Sequence, residues 1–199
     1  ILINSGNANV FTGPAGKKAV LDIIYKLSIN LGVPKNEIFL ASTGVIGEPL
    51  DSEKIIRKIP LLIKSQKNER SAWIKAADAI RTTDTYSKYH SEIVSNKDSL
   101  FINGIAKGSG MIQPNMATML SFIFTNTNIL TKKVELGFKE IIDKTFNSIS
   151  VDGDTSTSDM VLLFSVKNKT KIKTKKLLEK FLEKLEILMT TLSHLIVKD

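Results

Sequence analysis

The residue types that most often carry covalent catalysis are scarce in this sequence. It has no cysteine and only two histidines, His90 and His194, and neither matches a known motif. A thiolate nucleophile, a disulfide framework and a thiolate zinc site are therefore excluded, and imidazole chemistry has little to work with. What remains for nucleophilic catalysis is a hydroxyl with an unusual base. The α-amine of a threonine exposed by chain cleavage is such a base. Thr118 meets the requirement: it follows Ala117, a small residue that leaves a scissile carbonyl accessible, and it stands at a loop-to-strand junction after Gly108, Ser109 and Gly110. By type and place alone, a threonine entering a strand is more often a structural β-former.

Two other constellations fail on spacing. A phosphate loop of the Walker type needs four residues between its glycines and then lysine with serine or threonine, and neither Gly104 to Gly108 nor Gly13 to Lys17 supplies that. The loop from Asp152 to Asp159 starts like a calcium loop, but Thr157 stands where the turn glycine belongs and Leu163 where the bidentate glutamate belongs. Its aspartates and hydroxyls are better suited to bonding nearby backbone amides. No metal site is expected.

The elements that would position these residues follow from periodicity. Residues 1–16 read as loop, and a helix from about Lys17 places Val20, Ile23, Ile24, Leu27 and Leu31 on one face before Gly32 and Pro34 stop it. Ile38 to Ala41 reads as a strand running into a turn at residues 42–47, followed by a helix that Pro60 divides and another over about 70–80. Strands are expected at 90–94, 100–106, 122–124 and 160–166, and helices at about 134–148 and from Leu177 to Leu195. Helices and strands alternate, so the fold class is α/β or mixed α+β.

Net charge is +8, and eight lysines against two glutamates between Lys167 and Lys184 account for +6 of it. That stretch has no arginine, and its one aromatic, Phe181, falls on the apolar face of the last helix. It reads as a solvated edge, not a nucleic-acid reader. No apolar run approaches the about 20 residues of a membrane span, and no secretory signal is present. The expectation is a soluble cytoplasmic protein, with neither nucleic acid nor membrane as partner. Beginning at Ile1 and stopping after a periodic helix, the chain reads as an internal fragment.

Six separated stretches coincide with one family. They are Asn4-Ser5-Gly6-Asn7-Ala8-Asn9 with Thr12-Gly13, then residues 42–47, Thr82-Thr83-Asp84-Thr85, residues 107–111, residues 114–120, and Val151-Asp152-Gly153-Asp154-Thr155-Ser156-Thr157. In this order they resemble the ornithine acetyltransferase family, the bifunctional glutamate N-acetyltransferases of arginine biosynthesis.

The resemblance implies layered sheets and helices of that family's type and a self-cleaving enzyme. Cleavage falls between Ala117 and Thr118, so residues 1–117 are the C-terminal part of an α chain and 118–199 the N-terminal part of a β chain. Thr118 is then nucleophile and N-terminus. It takes the acetyl group from N2-acetylornithine and passes it to glutamate, with no cofactor, although some members also accept acetyl-coenzyme A as donor. Thr43 and Gly44 take the part of oxyanion donors, and Thr82, Lys107 and Thr118 that of substrate contacts. The chains stay associated, as a heterotetramer of two α and two β.

The family continues into a Gly-Glu-Gly motif and further C-terminal contacts that this chain does not reach, and the chain is continuous through residues 117 and 118. By type alone Lys107 reads as a solvent-facing loop lysine. Two alternatives stand beside acetyl transfer: a related self-processing aminopeptidase or amidohydrolase, with water as acceptor, and an inactive truncated copy serving only in assembly.

Overall fold

The computed structural model describes residues 1–112, 119–129, 131–154, 159–166, 172 and 174–199, in two compact units, 1–75 and 76–199. In the first, β1 (Leu2–Asn7) pairs in parallel with β2 (Leu40–Val45), from Leu2 opposite Leu40 to Gly6 opposite Gly44. Parallel neighbours need a long crossover, and α1 (Gly13–Leu31) provides it. Pro14 lies in its first turn, where a missing N–H is harmless, and Gly32 closes the helix by donating its N–H to the Ser28 carbonyl over 2.9 Å. Ile23 and Leu27 of α1 bury against Ile59, with Leu2, Leu40 and Ile55 packed around them.

Proline division is as expected. Helix α2 (Ser52–Ile56) is capped by the Asp51 carboxylate, and α3 (Ile59–Lys64) carries Pro60 in its first turn. Two expectations need correction. The anticipated N-terminal loop contains β1, a segment with only two apolar residues, Leu2 and Ile3, that is held extended by its ladder to β2 rather than by intrinsic preference. The strand expected at 38–41 starts two residues later, so Thr43 and Gly44 lie within β2 and not in the turn after it.

Helix α4 (Arg70–Ala79) spans the division in sequence between the units. The second unit holds a four-stranded sheet ordered β3 (Lys88–Ser95), β4 (Leu100–Lys107), β5 (Leu120–Thr125) and β6 (Met160–Ser165). The first two junctions are antiparallel and the last is parallel. Asn126 secures the β3–β4 hairpin by accepting from the Phe101 N–H and donating to the Ser99 carbonyl.

The long helix α6 (Lys175–Val197) packs on β3 and β4 and buries Phe181, Leu185, Leu188, Met189, Leu192 and Ile196, much of the stripe read from the sequence. A Cβ on Gly104 would lie 2.7 Å from Leu188 Cδ2 and 2.8 Å from Leu192 Cδ1, so the bare backbone of β4 is what admits the helix. Helix α5 (Lys132–Lys144) adds Val134 and Ile141 to the same core. It ends four residues before the expected Ser148, where a 3-10 turn over Phe146–Ser148 takes over and the Thr145 hydroxyl donates back to the Ile141 carbonyl over 2.6 Å. Hydroxyls of Thr131 and Thr174 cap α5 and α6 by accepting from Val134 N and Leu177 N. The class is mixed α/β, as expected.

Candidate active site

In the second unit, four strand ends meet along one edge of the sheet. Lys88 opens β3 opposite Ala106, Lys107 closes β4 opposite Leu120, and Leu120 opens β5 opposite Met160, the first residue of β6. Charged residues thus sit where backbone pairing ends. Lys107 is 2% exposed, which corrects the solvent-facing loop position that its residue type suggests.

The Thr-Thr-Asp stretch lies against this edge, and three consecutive residues bond three others. Lys107 Nζ donates to Thr82 Oγ1 over 2.8 Å, the Thr83 and Ser109 hydroxyls are 2.9 Å apart, and Gly108 N donates to Asp84 Oδ1 over 2.7 Å. Asp84 Oδ2 accepts from the Thr82 N–H at 3.2 Å, and its Oδ1 also receives Lys88 Nζ at 2.8 Å. Lys88 reaches Asp199 as well, and Asp199 in turn accepts from the Thr85 N–H and hydroxyl. Two sequence motifs separated by more than twenty residues are in this way joined by their side chains.

Burial sets the electrostatics. It pushes the Asp84 carboxyl upward, but the Gly108 N–H, the Lys88 ammonium and the Thr82 N–H outweigh it and hold Asp84 below the ordinary carboxylate range. For Lys107, burial dominates and lowers its affinity for a proton, opposed by the charges of Asp84 and Asp159. At the neighbouring strand ends, Asp159 Oδ1 accepts from Met119 N over 2.5 Å. Burial pushes this carboxyl up to about 6, against the pull of the Met119 N–H and the Lys107 charge.

Asp152 bonds nearby amides, as its loop composition suggests, but it also reaches a distant segment. It accepts from Asp154 N, and its carboxylate binds the N–H groups of Met111 and Ile112. It thereby fixes the backbone just before residues 113–118. His90 Nε2 lies 2.9 Å from Glu92 Oε1, and Glu92 also pairs with Lys184, so this histidine is tied into the contact of β3 with α6. Among the described residues, no group of three or more histidine, cysteine, aspartate or glutamate side chains could hold a metal ion.

Thr43 and Gly44 belong to the first unit. Thr43 is 2% exposed, and Gly44 has φ 131°, with a position for Cβ only 2.3 Å from Gly6 C and 2.6 Å from Asn7 N. Both the conformation and the contact with β1 demand glycine here. The asparagine-rich motif stitches this region together: Ser42 Oγ donates to Asn4 Oδ1 over 2.6 Å, Asn4 Nδ2 to the Asn7 carbonyl over 2.8 Å, and Asn7 Nδ2 to the Glu48 carbonyl over 2.9 Å.

Of the residues singled out from the sequence, the structure brings Thr82 and Lys107 into direct contact and seats Thr43 and Gly44 in β2. Ala117 and Thr118 lie outside the described residues, as do residues 155–158 and lysines 167, 169, 171 and 173. Sequence reasoning missed Asp84, Lys88 and Asp159 as site residues. Asp159 had one available signal, a carboxylate immediately before a strand.

A sequence model of the ArgJ family matches residues 1–199. The chain belongs to the ArgJ family. Proteins named arginine biosynthesis bifunctional protein ArgJ, from Bartonella henselae and Rhizobium meliloti, are each 46% identical to it, over 166 and 168 residues. Each match takes in 83% of this chain and 40% of the relative, so the chain spans about two fifths of the length of the curated ArgJ relatives it matches.

Solved structures agree. The crystal structure of the ArgJ bifunctional protein from Bacillus halodurans aligns with a TM-score of 0.51 at 33% identity, covering 58% of this chain and 61% of that one. Ornithine acetyltransferase from Mycobacterium tuberculosis, solved in complex with ornithine, aligns with a TM-score of 0.53 at 29% identity, covering 57% and 61%. The fold is that of ArgJ proteins, and the resemblance carried by the six motifs identifies the family correctly.

Proposed function

We propose that this chain is part of an acetyltransferase that moves an acetyl group from N2-acetylornithine to glutamate through an acetyl ester on Thr118. The observation that carries this reading is the bond from Lys107 to Thr82, two residues assigned to substrate by resemblance and set together at a strand edge in a member of the ArgJ family. The names of the relatives support the pathway, and the ornithine in the Mycobacterium tuberculosis structure supports the substrate class.

On this reading the peptide bond from Ala117 to Thr118 breaks by self-cleavage. The Thr118 hydroxyl oxygen then attacks the acetyl carbon of acetylornithine while its proton passes to the neutral Thr118 α-amine, a group with a reference pKa of about 8. The tetrahedral oxyanion is stabilised by Thr43 and Gly44, and such donors contribute on the order of 3 kcal/mol each. The carbon–nitrogen bond breaks, ornithine leaves with the proton on its amine, and the acetyl group stays on Thr118 as an ester. The glutamate amine attacks that ester, releasing N-acetylglutamate and restoring the hydroxyl. Lys107 serves as a compact cation for a substrate carboxylate.

No cofactor enters this sequence of steps, and acetyl-coenzyme A is an additional donor to assay. The self-cleaved chains remain together, two of each kind, in the cytoplasm; no helix among the described residues is long and apolar enough to cross a membrane. Intact-mass spectrometry of the full-length parent protein, with Thr118→Ala beside it, tests the reading. Two fragments meeting between Ala117 and Thr118 in the wild type, a single chain in the variant, and acetyl transfer by the wild type alone are expected. A folded wild type that stays whole would overturn it.

A further inference from the structure

Strands β5 and β6 are parallel and start level with one another. As a result, the backbone of Met119 is gripped from both sides by consecutive residues of the neighbouring strand entry. Met160 N donates to the Met119 carbonyl over 3.0 Å, and Met119 N donates to Asp159 Oδ1 over 2.5 Å. The second carboxylate oxygen, Asp159 Oδ2, is buried and has no hydrogen-bond partner among the described residues. A carboxylate that merely capped a strand entry would leave that oxygen to water. A buried acceptor without a donor is destabilising and calls for a reason.

We propose that Asp159 is the positioning carboxylate for the amino terminus created before Thr118: Oδ1 fixes the Met119 N–H, and Oδ2 receives the new ammonium or amine of the preceding residue. This inference rests on the Thr118 reading above. Its geometric basis is that Oδ1 already holds the Met119 N–H while Oδ2 of the same carboxylate is buried and open to a second donor.

The chemistry gives the carboxylate a task that a structural cap would not have. An N-terminal amine that acts as base must have its lone pair aimed at the threonine hydroxyl, and a hydrogen bond from the amine to Asp159 fixes the rotation that aims it. A negative charge beside the amine also stabilises its protonated form and raises its pKa. Lys107, on β4, is the charged group acting on Asp159 among the described residues, and it is itself acted on by Asp84 and Lys88. It stands in the same row of strand ends, so the carboxylate is shared between a buried cation and the new terminus.

The test uses the full-length parent protein, after intact-mass spectrometry has shown cleavage, with the Thr118 α-amine labelled by 13C reductive methylation and titrated by NMR. The wild-type label is expected to show its own titration and a second inflection on the acid side, caused by Asp159. Asp84, held below the ordinary carboxylate range, does not titrate where a raised carboxyl does. Asp159→Asn keeps the acceptor for Met119 N but removes the charge. In it the second inflection should vanish, the amine should titrate at lower pH, and the rising limb of kcat/KM should move down by about one pH unit. In the same variant, kcat should fall about tenfold with KM for acetylornithine little changed, and Asp159→Glu should restore part of the loss.

A cleaved wild type whose amine titrates in a single step overturns the proposal without reference to any variant, and leaves the Thr118 reading standing. An unshifted amine in a cleaved Asp159→Asn protein does the same. A wild type that never cleaves removes both, and the mass spectrum distinguishes that outcome from the others.

Discussion

Lys107 donates to Thr82 Oγ1 over 2.8 Å, so two residues that the family resemblance assigns to substrate contact are held against each other by the fold. Substitutions at the pair should therefore not add. Lys107→Met is expected to lower kcat/KM for acetylornithine by about 100-fold through loss of the carboxylate partner, and Thr82→Val by about tenfold. The double variant should lose less than the product of the two, with a coupling of about 1 kcal/mol in a double-mutant cycle on kcat/KM. Strict additivity would mean that the contact has no part in turnover.

Gly44 and Gly47 separate steric clash from backbone strain. Both have positive φ, 131° and 86°, but a Cβ at Gly44 meets the backbone of Gly6 while one at Gly47 meets nothing within 4 Å. Gly47→Ala should lower stability by about 1 kcal/mol, the usual left-handed penalty. Gly44→Ala should cost roughly 2–4 kcal/mol, because β1 must move away from β2. Urea unfolding of the two variants of the parent protein measures the difference, and equal losses would mean that the close approach is relaxed without penalty.

Asp84 should make the protein acid-sensitive. Its carboxyl is held below the ordinary value of 3.8, so its stabilising contribution is complete above that pH and is lost as the pH falls through the lower folded value. Asp84→Asn leaves the buried Lys88 with Asp199 and should destabilise by about 3 kcal/mol at neutral pH. The gap to wild type should narrow only below about pH 4. Thermal melts of both proteins from pH 3 to pH 8 would show it, and a gap that is independent of pH would refute the assignment.

Asp159 carries the opposite sign. Its carboxyl is raised from 3.8 to about 6, so its favourable contribution is present in acid and is lost as the pH rises through the folded value. In the uncleaved Thr118→Ala background, where no new amine exists, Asp159→Asn should gain stability relative to its parent as the pH climbs from 4 to 7. A more stable but slower enzyme is the pattern expected when a residue is kept for function against stability. No relative gain in calorimetry across that range would show that the carboxylate is better solvated than its surroundings imply.

Much of the scaffold is legible in the sequence where periodicity is strong. The leucine stripe of α6 and the proline break between α2 and α3 follow from spacing and from the missing amide of Pro60. Strand β1 was hidden because Leu-Ile-Asn-Ser-Gly-Asn has no alternation, and only pairing with residues some forty positions away makes it a strand. The same non-local pairing displaced Thr43 and Gly44 from turn to strand. At the site, Thr82 and Lys107 were reached through family motifs, whereas no role was read for Asp84, Lys88 or Asp159, because acids beside hydroxyl side chains look like turn caps and lysines look solvated. Their burial depends on the register of β3 to β6, which no single segment encodes.

The antiparallel seam between β4 and β5 has a mechanical consequence. Every residue of β4 precedes position 117 and every residue of β5 follows it, so a cut there turns six ladder pairs, from Ile102 with Thr125 to Lys107 with Leu120, into contacts between two polypeptides. That seam runs through the middle of the sheet. The fragments could part only by tearing open the core beneath α6, so dilution would not separate them and they should melt together, as one cooperative body, whatever the number of chains.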